Sequence, residues 1–202
     1  MFTIAYNANS KVHLLREKKE IDLFFSWFMN ILPSRIEELI SSVKTTEGFS
    51  DWLGDYSSAS LARLGDWYET QLETRPYSPE GVEYMKRIMR FDENRPIDFE
   101  PWTLTDETLA TSVKVGMYFG EALRHRLPFM DWRPFKVGSG KSKQPNVDYG
   151  QPVLEGPKVL HVNPVGICQT LAFAIARGQR SGRHLNELFE YNAKMREDTR
   201  IR

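Results

Sequence analysis

Residues 105–127 read TDETLATSVKVGMYFGEALRHRL, and this stretch predicts the long helix around which the rest of the chain is arranged. Thr103 or Thr105 offers a capping hydroxyl, and Asp106 and Glu107 place negative charge in the first turn, where the helix dipole favours it. Pro128 closes the segment. Ser112, Gly116 and Gly120 recur every fourth residue and so share one face. A helical glycine costs up to about 1 kcal/mol relative to alanine. Two on one stripe therefore predict a close neighbour, either another backbone or a ligand.

Downstream, the apolar period falls towards two. Trp132 to Val137, Pro152 to Leu154 and Lys158 to Val162 read as short strands around the loop GSGKSKQPN. Asn163-Pro164 then starts a second helix, with asparagine at the cap and proline in the first turn. Its run VGICQTLAFAIARG is apolar nearly all round, which predicts a core helix. His184 to Met195 predicts a last helix with Leu185, Leu188, Phe189 and Tyr191 facing inward.

Upstream, FTIAY, NANS and KVHLL suggest a hairpin, with one helix over Lys11 to Leu32 as the alternative. Ile21, Phe24, Phe25, Phe28 and Leu32 follow helical spacing, and Pro33 is expected to end that helix or open the next. Ile36, Leu39, Ile40 and Val43 mark the next one, closed near Gly48. A helix over Ser57 to Glu73, capped by Ser58 or Ser60, has the inner stripe Leu61, Leu64, Tyr68 and Leu72. Another begins at Ser78-Pro79 and buries Val82, Met85, Ile88 and Met89. The stretch from Arg95-Pro96 to Pro101-Trp102 reads as irregular, a boundary between halves. The expected fold is predominantly helical α+β. A helical N-terminal half precedes a long helix, a small antiparallel sheet and two C-terminal helices. Residues 1–202 form one domain, divisible into a helical subdomain over residues 1–100 and an α+β subdomain over residues 101–202.

A chain of 202 residues buries roughly 70% of its unfolded surface and needs no disulfide or metal to fold. Lys plus Arg and Asp plus Glu both number 27, so the basic excess typical of nucleic-acid binders is missing. The single cysteine, Cys168, precludes an internal disulfide and suits a reducing compartment. MFTIAYNANSK lacks the apolar core of a secretory signal. Asp22, Ser26 and Asn30 interrupt the run from Ile21 to Leu32, which is shorter than the roughly 20 residues a bilayer requires. The expected setting is the cytoplasm, with no membrane contact.

Chemistry-bearing residues are few. Gly138-Ser139-Gly140-Lys141-Ser142 imitates a phosphate loop, but Phe135 stands where that motif needs its first glycine, and Gln144-Pro145-Asn146 precludes the helix that should follow. Cys168 and His161 form the one Cys–His pair close in sequence. A thiol nucleophile needs an open, electropositive setting, whereas Ile167, Leu171 and Ala172 point to a packed thiol. His13, His125, His161 and His184 have no metal-ligand spacing, so neither a metal nor another cofactor is expected.

Glu121, beside Gly120, is the carboxylate best placed for acid–base work or for anchoring a ligand. Its bland alternative is an ion pair with Arg124 or His125 along the helix. Gly116, Gly120 and Glu121 thus mark one candidate ligand surface. Lys136, Lys141 and Lys143 in one loop, and Arg177, Arg180, Arg183 and His184 in another, make a second, suited to an anion if the loops meet and otherwise a solvated surface.

DYSSASLARLGDWYE, VGMYFGEALRH with the later Trp132, and QPVLEGPKVLHVNPVGICQTLAFAIARG resemble a group of small bacterial proteins of unassigned function. These share a Tyr-x-Gly-Glu helix, a following Trp and an Asn-Pro helix start. The resemblance implies a bacterial origin and brings no catalytic residue. The leading expectation is a non-catalytic protein that binds another protein, such as an immunity-type or regulatory partner. An enzyme or small-molecule binder with a pocket at Glu121 is the alternative, and weak anion or nucleic-acid binding through the basic loops is third. The oligomeric state is left open.

Overall fold

Pro33 interrupts no helix. The computed structural model describes residues 18–88, 99–136, 147–158 and 160–200. Its first helix, α1, runs unbroken over Lys18–Thr45 with Pro33 inside it. The two helices expected on either side of that proline are one, because Phe24, Phe28, Leu32, Ile36, Leu39 and Val43 keep a single buried phase past it. Pro33 lies on the exposed side, where water is at hand for the backbone group it leaves unbonded.

The remaining order is α2 (Ser58–Thr70), β1 (Thr74–Pro76), α3 (Pro79–Ile88), β2 (Trp102–Leu104), α4 (Asp106–Arg126), β3 (Asp131–Pro134), β4 (Pro152–Glu155), α5 (Pro164–Ala176) and α6 (His184–Arg200). The fold is predominantly helical α+β with two small antiparallel sheets. Neither Ser58 nor Ser60 caps α2. Ser57 does, its hydroxyl accepting from the Ser60 amide at 3.1 Å. Thr105 caps α4 in the same way.

Strand β2 begins at Trp102, the last residue of the stretch expected to be irregular, of which residues 95–98 lie outside the described residues. It pairs with β1 in the register Thr74 to Leu104 and Pro76 to Trp102. The second sheet joins β3 to β4, with Trp132 opposite Leu154, and Leu154 also bridges to Val162. On α3, Val82 and Met85 are only half-buried, which corrects the buried face expected there. The N-terminal hairpin, Met89 and the GSGKSKQPN loop lie outside the described residues.

Helix α4 is the axle: every residue from Val115 to Gly120 is buried. Helix α5 packs along it, and α1 and α6 contact it as well. Helix α2 lies on α6. Gly65 and Gly182 bring the two chain segments so close that a Cβ on either would strike the other's carbonyl group. One apolar core extends from Phe24 on α1 to Ala193 on α6. Tyr191, expected to face inward, is 64% exposed; the buried phase of α6 passes through Leu185, Phe189 and Ala193 and leaves Tyr191 on the outer side. Among the described residues, no helix is long and apolar enough to cross a membrane.

Candidate functional site

The glycine stripe of α4 is filled by protein. A Cβ on Gly116 would lie 2.6 Å from the Cα of Val165, and one on Gly120 would run into the Trp132 ring. The neighbour that these glycines admit is therefore the first turn of α5 together with an aromatic side chain. Gly116 and Gly120 do not line a ligand surface.

Glu121 is held in place by the same contacts. Its side chain is 15% exposed and pairs with the Arg124 Nη1 at 3.0 Å. Its Oε1 also accepts from the Trp132 indole N–H at 2.7 Å. His125, the other expected partner, stacks on Tyr56 instead, with ring centroids 4.5 Å apart. Tyr56 adopts a left-handed backbone (φ 63°) in which its N–H donates to the Tyr118 hydroxyl at 2.9 Å. A hollow of about 330 Å³ borders Glu121, Arg124 and His125, but its carboxylate already has two partners.

Cys168 is fully buried in the core, and burial pushes its thiol far above the ordinary value. The Tyr68 hydroxyl shares its one proton between Ser112 Oγ at 2.5 Å and the Cys168 carbonyl at 3.2 Å. His161 lies apart from this group, on the other side of α5. The thiol thus has neither access nor a base.

His161 faces a cleft of about 580 Å³ between α5, α6 and the segment leading into α5. Its Nε2 meets Asp148 Oδ2 at 2.9 Å, and its ring stacks on Phe135 with centroids 4.1 Å apart. Asn163 ties this pair to the helix. Its Nδ2 donates to Asp148 Oδ1 at 2.9 Å, while its Oδ1 caps α5 by accepting from the Gly166 amide. The amide most available to an external anion at that helix end is therefore used internally.

Helix α5 does not bury all of its apolar surface. Val165, Cys168, Leu171, Ala172 and Ile175 enter the core, whereas Ile167, Phe173 and Ala174 are half-buried along the cleft, with Phe173 also stacked on Trp102. The core helix expected here is present, and one of its faces is also the cleft wall. Val147 in the wall is 60% exposed, and Leu160, next to His161, is 67% exposed.

The opposite wall, α6, contributes the buried cation of the site. Arg196 is 4% exposed. Its Nε donates to the Leu160 carbonyl at 3.1 Å and its Nη2 to the His161 carbonyl at 3.0 Å. Its Nη1 donates to the carbonyl and side-chain oxygens of Asn192, at 3.0 and 2.9 Å. Every acceptor is neutral. Among the described residues no carboxylate pairs with Arg196, and burial draws its guanidinium below the ordinary arginine value. Arginine nevertheless stays charged in proteins, so the positive charge remains beside the cleft.

Of the two basic loops, only a portion reaches this place. Arg180 lines the cleft and makes no hydrogen bond or ion pair among the described residues. Arg183 turns to α2 and meets Asp66 at 3.4 Å, and Arg177 meets Glu100 at 3.8 Å. Lys141 lies outside the described residues. The structure thus brings His161, Arg180 and His184 to one cleft and leaves Glu121, Cys168 and Arg183 elsewhere. Among the described residues no three His, Cys, Asp or Glu side chains gather as metal ligands would. Asp148, Gln169, Asn192 and Arg196 are site residues that sequence reasoning passed over. No protein family, curated protein or solved structure matches the chain.

Proposed function

We propose that this protein acts by binding rather than by catalysis, and that its α5–α6 cleft receives a segment of a partner protein. The observation that carries the reading is the partly covered apolar side of α5, Ile167, Phe173 and Ala174, along a cleft that also holds the exposed Val147 and lies beside the exposed Leu160. Large side chains left in water beside a cleft mark an interaction surface better than a closed small-molecule pocket. The groups suited to chemistry support the same reading. Glu121 is paired and the Cys168 thiol is sealed in the core. A cytoplasmic, bacterial protein of regulatory or immunity type fits this proposal, since a lone, buried cysteine suits a reducing compartment.

The test is selection of linear peptides from a displayed random library on the folded protein, followed by binding to a Thr170→Trp variant. Thr170 is exposed on α5 within the cleft, so an indole there obstructs it without touching the core. Selected peptides should bind the native protein and lose at least about tenfold in affinity for the variant, the loss expected when a bulky group fills a binding groove. A library that yields no peptide sensitive to Thr170→Trp would refute the reading.

A further inference from the structure

We infer that the cleft recognises a single carboxylate, an Asp or Glu side chain flanked by aliphatic residues in the bound segment, through Arg180 and Arg196. This deepens the partner-binding reading and rests on it. Two guanidiniums line the cleft against one carboxylate, Asp148, and that carboxylate is already engaged by His161 and Asn163. Arg180 has no protein partner among the described residues, and Arg196 is surrounded by neutral acceptors only. A buried cation facing carbonyls gains most from an arriving anion, because water cannot supply the compensation there. Of the five N–H bonds of Arg196, four are accounted for by Leu160, His161 and Asn192. The remaining Nη2 donor suits one carboxylate oxygen.

Charge number selects the anion. A phosphate dianion would be repelled by Asp148, and the α5 terminus that would ordinarily serve it is capped by Asn163. A monoanion with apolar flanks matches both the short supply of donors and the Ile167 and Phe173 wall.

The experiment uses the peptides selected above. They should be enriched in one Asp or Glu beside Leu, Ile or Val. A fluorescent representative, measured by polarisation, should lose about tenfold in affinity when its acidic residue becomes Gln or Asn, in line with the loss of a charge-assisted contact. The same loss is expected with Arg180→Ala, an exposed position whose replacement leaves the fold intact, and a similar one with Arg196→Lys. A phosphoserine twin should bind more weakly than the carboxylate peptide. An equally tight neutral twin, indifference to Arg180→Ala, or a tighter phosphopeptide overturns the carboxylate assignment and leaves the peptide-binding cleft standing. Failure to select any cleft-dependent peptide overturns both.

Discussion

Gly116→Ala offers a test with opposite signs for the two readings of the glycine stripe. If the stripe were an open groove, alanine would stabilise α4 by up to about 1 kcal/mol through its better helix propensity. In the structure the added Cβ lies 2.6 Å from the Val165 Cα, 3.0 Å from its nitrogen and 3.1 Å from the Pro164 carbonyl oxygen. All three are backbone atoms, so no rotamer change relieves the contact, and α5 must retreat by roughly 1 Å to restore ordinary van der Waals separation. A gap of that size forfeits a quarter to a half of each affected attraction, about 0.1–0.2 kcal/mol per atom pair before loss. Over about 40 pairs along the α4–α5 seam the cost is about 1–4 kcal/mol, centred near about 2 kcal/mol and in line with the usual cost of overpacking. After the propensity gain the net destabilisation is about 1–2 kcal/mol. For a chain of this length that lowers Tm by about 2–8 °C. Urea denaturation followed by far-UV circular dichroism reads the change directly. A variant as stable as the parent, or more so, would show that α5 does not sit on Gly116.

Two further substitutions test the fold and its buried polar groups. Pro33→Ala should raise stability by about 1 kcal/mol or more, since it restores a helical donor within an unbroken α1; a loss in a denaturant titration would mean that the proline ends a helix. Tyr118→Phe should cost about 1–3 kcal/mol, because it leaves the Tyr56 N–H and the Ser60 hydroxyl without their shared partner. Burial raises the Tyr118 phenol to about 12 from 10.0. Its folded value is the higher one, so its contribution is complete below the unfolded value and is lost as pH rises from about 10 to about 12. Thermal melts across that window should show a shallower alkaline decline for Tyr118→Phe, and an unchanged slope would refute the assignment.

Helices whose apolar residues keep one phase were readable because burial and periodicity coincide. The caps at Thr105 and Asn163 work as their side chains predict. Pro33 misled because the local cost of proline was weighed without asking which side of the helix it occupied. Leu32, Ile36 and Leu39 already continued the earlier phase, so the signal was present. Strand β1 offered none: Thr74–Pro76 is exposed along its length, and its partner is Trp102–Leu104, across α3 and the chain that follows it. Backbone pairing of three residues at that separation leaves no pattern in either segment.

The cleft was unreadable for a related reason. Its charges come from separate stretches: Asp148 after a loop, His161 and Asn163 before α5, Arg180 between helices and Arg196 near the end of α6. Arg196 in particular sits in the sequence KMREDTR, where charge density argues for solvent. The phase of α6 argued otherwise, since the steps from Leu185 to Phe189, Asn192 and Arg196 are four, three and four residues. A charged residue that continues a buried stripe must find acceptors, and Arg196 finds them in the Leu160 and His161 carbonyls at the entrance to α5. The bonds that make its burial tolerable therefore also clamp α6 to the segment carrying His161. They hold the two walls of the cleft in register while leaving the positive charge itself unanswered by any carboxylate among the described residues. A stability device that retains an unneutralised cation at the lip of an apolar wall is the feature an acidic partner segment would exploit.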